Sequence, residues 1–310
     1  MIYKEYYPIM KKLMNIIKRI WLNKSAIYRK TCFYVGIAFT LWGFVSLFSP
    51  LDGILDSSAT FGCKLMIGLL VLIIVAGISF IISTFEVLNA NENIVLTSKT
   101  GHKVVVQYGD MYSPDIVEKG YKGRRNIVIS VNRCFDTIVD DNLISRTTQH
   151  GRIMRALYNT NEFDENSLNA ALQQSLSNIK PEVYLSKDEK PKGNRKRYAC
   201  GTVAELIVSD NLTYFFLGLS KFDNQLAAST TKAEYVLALQ NLIEFCNVRS
   251  QGYPVILPLM GTGLSRANIS HEEALSYMVS ALHMNNDIIN CDFHIVVWKG
   301  MKDKVSIKNL

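Results

Sequence analysis

The sequence has no C-x-x-C pair, and no metal site is visible in it. Its six cysteines, Cys32, Cys63, Cys134, Cys200, Cys246 and Cys291, are scattered along the chain. That pattern excludes a zinc module and a disulfide framework, and it fits free thiols in a reducing compartment. The five histidines are dispersed as well, so no Ser/His/Asp set stands out and no catalytic residue is assigned. No lysine follows Gly261-Thr262-Gly263-Leu264-Ser265, so this glycine turn is not a Walker loop and nucleotide hydrolysis has no support. Acid is nearly missing from the first thirty residues, which hold Lys4, Lys11, Lys12, Lys18, Arg19, Lys24, Arg29 and Lys30 against Glu5 alone. This tail supplies the whole formal net charge of +7. The basic pI near 9.0 therefore belongs to the tail and does not imply a nucleic-acid partner. A second basic stretch, residues 186–197, has no interleaved aromatics and reads as a solvated loop.

Two long runs lack charge altogether, residues 32–48 and 65–83. The second is long enough to cross a hydrocarbon core of roughly 30 Å as a helix, and the first is at the short limit. Between them Ser49-Pro50-Leu51-Asp52-Gly53 reads as a turn. Arg29 and Lys30 precede the first run, so the positive-inside rule places that end in the cytoplasm, and two crossings return the chain to the same side. The expectation is a two-helix anchor over residues 32–84 in the inner (cell) membrane, with both termini cytoplasmic. Before it, residues 1–31 form a basic segment. In residues 8–22 Ile9, Leu13, Ile16, Ile17 and Ile20 recur at helical spacing opposite Lys11, Lys12, Lys18 and Arg19. Such a helix suits an anionic lipid surface; a targeting segment is the rival reading. With no charge inside either run, an ion or substrate pathway is not expected. Gly36, Gly43, Gly68 and Gly77 would allow close helix approach in an oligomer, or are simply the glycines common in membrane helices.

From about Thr84 the composition changes to that of a soluble α/β domain, residues 85–310. Strands are expected at 94–97, 103–108, 125–131, 200–209, 213–219, 255–257 and 293–298, and helices at 151–157, 167–179, 230–246 and 271–283. Ser270-His271-Glu272-Glu273 has the spacing of a capping box. This alternation predicts helices covering a mixed sheet.

In open α/β sheets ligands gather beyond the carboxyl ends of strands. Three such ends carry useful chemistry. Gly109-Asp110 closes one strand, and its carboxylate could accept a hydrogen bond from an adenine amino group or simply cap a turn. Asn132 ends another and could orient a ribose hydroxyl or, again, a turn. In the loop behind it Asp136, Thr137, Asp140 and Asp141 could meet a sugar or a cation, or serve as surface caps. The third end, Pro258-Leu259-Met260-Gly261-Thr262-Gly263-Leu264-Ser265, is a glycine turn that could cradle an anion with backbone N–H groups or only reverse the chain.

Taken in order, Val104 to Met111, Ile127 to Asn132 and Pro258 to Gly263 resemble the macro-domain family. The resemblance implies a three-layer α/β/α sandwich with a mixed sheet that binds ADP-ribose derivatives. Asp110, beside Gly109 and Met111, would contact adenine; the turn from Gly261 to Leu264 would wrap the pyrophosphate; Asn132 would lie near the distal ribose. The glycine run that hydrolysing members carry after this asparagine is replaced here by residues 133–141, with no glycine, which disfavours a hydrolase. With its charge-free runs placed first, the chain is similar to the membrane-anchored macro-domain effectors of bacterial Thoeris anti-phage defence. That similarity implies no cofactor but a signal, histidine-ADP-ribose, made by a TIR-domain NAD-consuming partner, followed by homo-oligomerisation, membrane disruption and abortive infection. A membrane-tethered ADP-ribosyl hydrolase is the alternative.

Overall fold

The computed structural model describes residues 2–47, 60–160, 162–261 and 268–310. The expected turn at Ser49–Gly53 lies outside them, and so do Thr262, Gly263, Leu264 and Ser265. The chain forms two compact units, one of Met1–Asn91 with Lys302–Asn309, the other of Glu92–Met301 with Leu310.

The first unit holds three helices, α1 (Ile2–Leu22), α2 (Lys24–Ser46) and α3 (Phe61–Asn89). The basic segment continues as helix almost directly into α2, broken only at Asn23. Ile20 of α1 packs against Ala26, Ile27 and Val87, while Met10, Leu13, Met14, Ile17 and Trp21 stay exposed along one stripe. Asn23 does not cap α2 with its own side chain. It donates instead from Nδ2 to the Arg19 carbonyl at 2.8 Å and accepts from Ser306 Oγ at 2.6 Å. The cap comes from the chain's end. Asn309 Oδ1 accepts the Ala26 N–H in the first turn of α2 at 3.1 Å, and its Nδ2 donates to the carbonyl of Leu22, the last residue of α1, at 2.6 Å. Farther along, Glu86 of α3 accepts from the Tyr34 hydroxyl at 2.8 and 2.9 Å and pairs with Lys30.

Among the described residues, α3 is the one helix that is long and apolar enough to cross a membrane, with a mean hydropathy of 3.1 over its best window. It contains the expected run 65–83. The expected run 32–48 falls in α2 as far as Ser46, but α2 also carries Lys24, Arg29 and Lys30 in its first two turns. Of the two expected crossings, one falls in an apolar helix of spanning length, and the other falls in a helix of mixed character that does not meet that criterion.

The second unit is built on a sheet in the order β1-β2-β10-β9-β3-β7-β6, with β8 (Ala228–Ser229) added to the end of β7. Its strands are β1 (Glu92–Thr97), β2 (Lys103–Gly109), β3 (Arg125–Asn132), β6 (Val203–Ser209), β7 (Leu212–Phe222), β9 (Val255–Pro258) and β10 (Phe293–Trp298). The five central strands, β2, β10, β9, β3 and β7, run parallel, and β1 and β6 close the edges antiparallel. The sheet is mixed. Parallel strands must be covered on both faces, and β9 is buried at all four positions. Ile127, Ile129 and Val131 of β3 pack with helices α4 (Gln149–Asn159) and α5 (Glu165–Ser175). On the other face Phe215 of β7 meets Phe245 of α6 (Lys232–Arg249) edge-on at 5.1 Å, and α6 packs on α7 (His271–Met284). Period-two alternation thus divides the strand side chains between two helical layers, the helix-covered mixed sheet that the alternating sequence pattern predicts and the α/β/α order that the macro-domain resemblance implies.

The helix starts follow their caps. Ser270 and Glu273 close the expected capping box at 2.8 and 3.1 Å, and Thr231 with Glu234 makes another at the head of α6. Asp164, capping with Ser167, begins α5 two residues before the expected start. A two-stranded ribbon, β4 (Val183–Tyr184) with β5 (Lys196–Arg197), flanks the basic stretch. That stretch is not wholly solvated: Lys190 at its centre is fully buried.

Candidate functional site

β3 and β9 are neighbours only at their beginnings, through Asn126 with Val255 and Ile127 with Ile256. β3 then runs on to Asn132 and β9 to Pro258 without further pairing, so the sheet parts towards its carboxyl edge. A cleft of about 420 Å³ fills the opening. It crosses the ends of four parallel strands in sheet order: Val296 and Trp298 of β10, Leu259 to Gly261 after β9, Ser130 to Asn132 of β3, then Ser220 and Phe222 of β7. This is where the crevice of an open α/β sheet receives ligands, and the volume falls in the range of small-molecule sites, roughly 300 to 1,000 Å³.

Each wall has a local cause. Gly261 sits at φ +84, and a Cβ there would stand 2.7 Å from the Tyr235 ring, so the chain can turn out of β9 only with glycine. Tyr235, buried beneath, donates its hydroxyl to the Met260 carbonyl at 3.3 Å and pins the turn. On the opposite side the first turn of α4 supplies Thr148, Gln149 and His150. Thr148 caps the helix by accepting the Gly151 N–H at 3.0 Å. The remaining first-turn N–H groups and the positive end of the helix dipole make this wall favourable to an anion.

Asn132 is buried in the floor of the cleft, at a register shift between β3 and β7. Its Oδ1 accepts the Cys134 N–H at 3.0 Å. Its Nδ2 makes no hydrogen bond, although the amide lies close enough to the Asp136 carboxyl to favour its ionised form. A buried amide donor without a partner, at the mouth of a parting sheet, is what a ligand oxygen would satisfy. At the other end Trp298 is 64% exposed and offers a flat aromatic face. Its register partner is Gly109, so Gly109 and Asp110 stand at the same edge beside it.

The two ionisable side chains in the lining are engaged. Burial pushes His150 down to about 4, against the pull of its hydrogen bond to the Asp136 carbonyl, so it is neutral at physiological pH and donates from Nε2 at 3.0 Å. Asp141, at φ 63, accepts from the Arg146 N–H at 2.8 Å and pairs with the Arg146 guanidinium at 3.2 Å. Behind the cleft, burial raises the Cys134 and Cys200 thiols to about 11, which keeps them protonated. Among the described residues no group of His, Cys, Asp or Glu could hold a metal ion.

The family model for the macro domain of Thoeris protein ThsA matches residues 104–297, well over half of the chain. The chain belongs to this family. It is 27% identical over 245 residues to the Thoeris protein ThsA of Bacillus amyloliquefaciens (strain Y2), a match covering 77% of this chain and 71% of that protein. Solved structures similar to it include a mutant Oceanobacillus iheyensis macrodomain with ADPR, at 12% identity and a TM-score of 0.43, covering 68% of this chain and 92% of that one. The same macrodomain with MES bound matches at 13% identity and a TM-score of 0.42, covering 68% and 90%.

Within this macro domain the residues singled out in the sequence fall into three groups. Asn132, Leu259, Met260 and Gly261 line the cleft, and Pro258, buried, ends the strand that leads to it. Gly109 and Asp110 lie at the edge next to Trp298; Asp110 is exposed and its Oδ1 accepts the Tyr112 N–H at 3.1 Å, the turn-capping arrangement, while Met111 is part of the core. Gly109 is tightly backed, since a Cβ there would stand 2.3 Å from Ile116 Cδ1. Asp136, Thr137 and Asp140 are outside the lining. Thr137 is buried, its carbonyl accepting the Tyr158 hydroxyl at 2.6 Å. Burial alone would raise the Asp140 carboxyl, but Lys192 and the N–H groups of Leu143 and Asn142 outweigh it and hold the group at about 2.

Trp298, His150, Ser220 and Phe222 are cleft residues that the sequence reading did not single out. A bulky aromatic closing an apolar strand was a usable signal for Trp298. His150 and Ser220 carried none, because their meeting depends on how α4 and β7 pack.

Proposed function

We propose that this protein is a membrane-tethered sensor–effector of Thoeris antiviral defence, whose macro domain binds an ADP-ribose-type signal. The adenine stacks on Trp298 beside Asp110, the diphosphate lies between the Gly261 turn and the first turn of α4, and the terminal ribose reaches Asn132. The observation that carries this reading is the buried Asn132 amide in the floor of a cleft that begins at an exposed tryptophan, with anion-favouring backbone along its walls. The signal is histidine-ADP-ribose, the product of a TIR-domain NAD-consuming partner. Its binding favours a self-associated state, and the α2–α3 hairpins, seated in the inner membrane with both termini cytoplasmic, then breach the bilayer and abort the infection.

Binding rather than turnover fits the lining. Neither His150, neutral and hydrogen-bonded, nor Asp141, paired with Arg146, is free to activate water. The test is binding by the detergent-solubilised full chain, set against turnover of ADP-ribosylated protein by the same sample. The reading expects saturable binding without turnover, with affinity falling at least about tenfold in Asn132→Ala, in line with the loss of a hydrogen bond to a buried group. Sustained release of ADP-ribose from the modified protein would replace it with the hydrolase.

A further inference from the structure

The basic stretch that runs from β4 into β5 is densely charged, yet Lys190 from its centre has no exposed surface. Its ammonium lies 2.9 and 3.1 Å from the two oxygens of Asp136, which is itself fully buried, and donates to the Lys192 carbonyl at 2.6 Å. The neighbouring residues grip the same carboxylate. Asn194 donates its N–H to Asp136 Oδ1 at 2.6 Å, and its side chain donates to the Phe135 carbonyl at 3.1 Å. Gly193, at φ +79, lets the chain pass so close that a Cβ would stand 2.2 Å from that oxygen. Lys192 pairs with Asp140 on the outside.

What this clamp holds is one end of the cleft. The Asp136 carbonyl accepts from His150, its carboxyl neighbours the Asn132 amide, and the Lys190 ammonium is 5.9 Å from the ring centroid of Phe222. All three of those residues line the cleft. Burial pushes the Asp136 carboxyl up, and Lys190 opposes it. A carboxylate at zero exposure without its cation must protonate or move, and either change displaces the wall formed by residues 132–150. Trp298 is on β10, two strands away from β3, about 10 Å at ordinary strand spacing, so that end of the cleft is not held by the clamp.

We infer that Lys190 is a positioning residue that sets selectivity for the part of the ligand beyond the diphosphate. The inference rests on the ADP-ribose reading above. The probes are ADP, which ends before the Asn132 region, and ADP-ribose, which enters it. Both are titrated into the full chain in detergent, with a melting temperature for every variant. Lys190→Met combined with Asp136→Asn removes both charges and leaves neither unpaired. The expected result is ADP affinity within about twofold of wild type and ADP-ribose affinity down at least about tenfold, so that the ratio of the two collapses. Gly193→Ala reaches the same carboxylate by steric pressure with every charge kept, and the same selective loss is expected. Lys192→Ala, which removes only the exposed pair with Asp140, should leave the ratio unchanged. An unchanged ratio in both clamp variants overturns the inference, and so does an equal loss for the two ligands that follows the melting temperature, since that describes a purely structural pair. Wild-type protein that binds neither nucleotide overturns the ADP-ribose reading itself and the inference with it.

Discussion

At the residue scale, Trp298 at one end of the cleft and Asn132 in its floor can each be tested alone. Trp298→Ala removes an exposed ring that packs little in the fold, so it should weaken adenine nucleotides by roughly 1 to 3 kcal/mol, as read by calorimetry, without a shift in melting temperature. His150 gives a pH signature. Its folded value near 4 lies below the unfolded 6.5, so the unfolded chain binds more protons between them. The stability it contributes is complete above about pH 6.5 and is lost as pH falls towards 4, on the order of 3 kcal/mol at one pKa unit per 1.36 kcal/mol. Denaturation across that window should be less pH-dependent in His150→Gln than in wild type. Equal slopes would contradict a buried neutral imidazole. Asn132 was legible in the sequence as the polar end of an apolar strand, and Gly261 as a turn glycine. The burial of Asp136 was not. An acid in a loop between Phe135 and Thr137 looks like a surface cap, and its partner Lys190 sits in a run of charged residues that looks solvated. Only the packing of the two loops on each other makes the pair.

At the element scale, the strands were legible because they are apolar and short, and the mixed sheet followed from their alternation with helices. The register was less accessible. That β10 lies between β2 and β9, bringing Trp298 against Gly109, is a long-range pairing that no local pattern encodes. Local chemistry did fix the start of α7: Ser270→Ala should cost about 1 kcal/mol, and replacing Glu273 as well should cost little more, because the two residues close one box. The head of α2 could not be read in the same way. Its cap is Asn309, at the far end of the chain, acting where Asn23 would be expected to. Asn309→Ala in the full chain should therefore loosen the α1–α2 junction, raising hydrogen exchange at the Ala26 amide, whereas Asn23→Ala should affect chiefly the contacts with Ser306 and Arg19. Protection at Ala26 that survives Asn309→Ala would refute this cap.

At the scale of the whole molecule, the apolar helix α3 is long enough to cross a membrane, and the chain passes between its unit and the macro domain at Asn91–Glu92, at Met301–Lys302 and at Asn309–Leu310. The second passage begins three residues after Trp298. The proposed function requires that filling the cleft be felt by the helical unit. Full-length protein in dye-loaded vesicles should leak only when the signal is added, and Asn132→Ala should stay silent at concentrations that saturate wild type. Leakage of the same extent without ligand would make the cleft irrelevant to membrane damage. The measurement that bears most directly on the account is calorimetry on the detergent-solubilised full chain with histidine-ADP-ribose, ADP-ribose and ADP. The account predicts one saturable site per chain, tightest for histidine-ADP-ribose, weaker for ADP-ribose and weakest for ADP; no binding of any of the three, by protein that melts cooperatively, would contradict it.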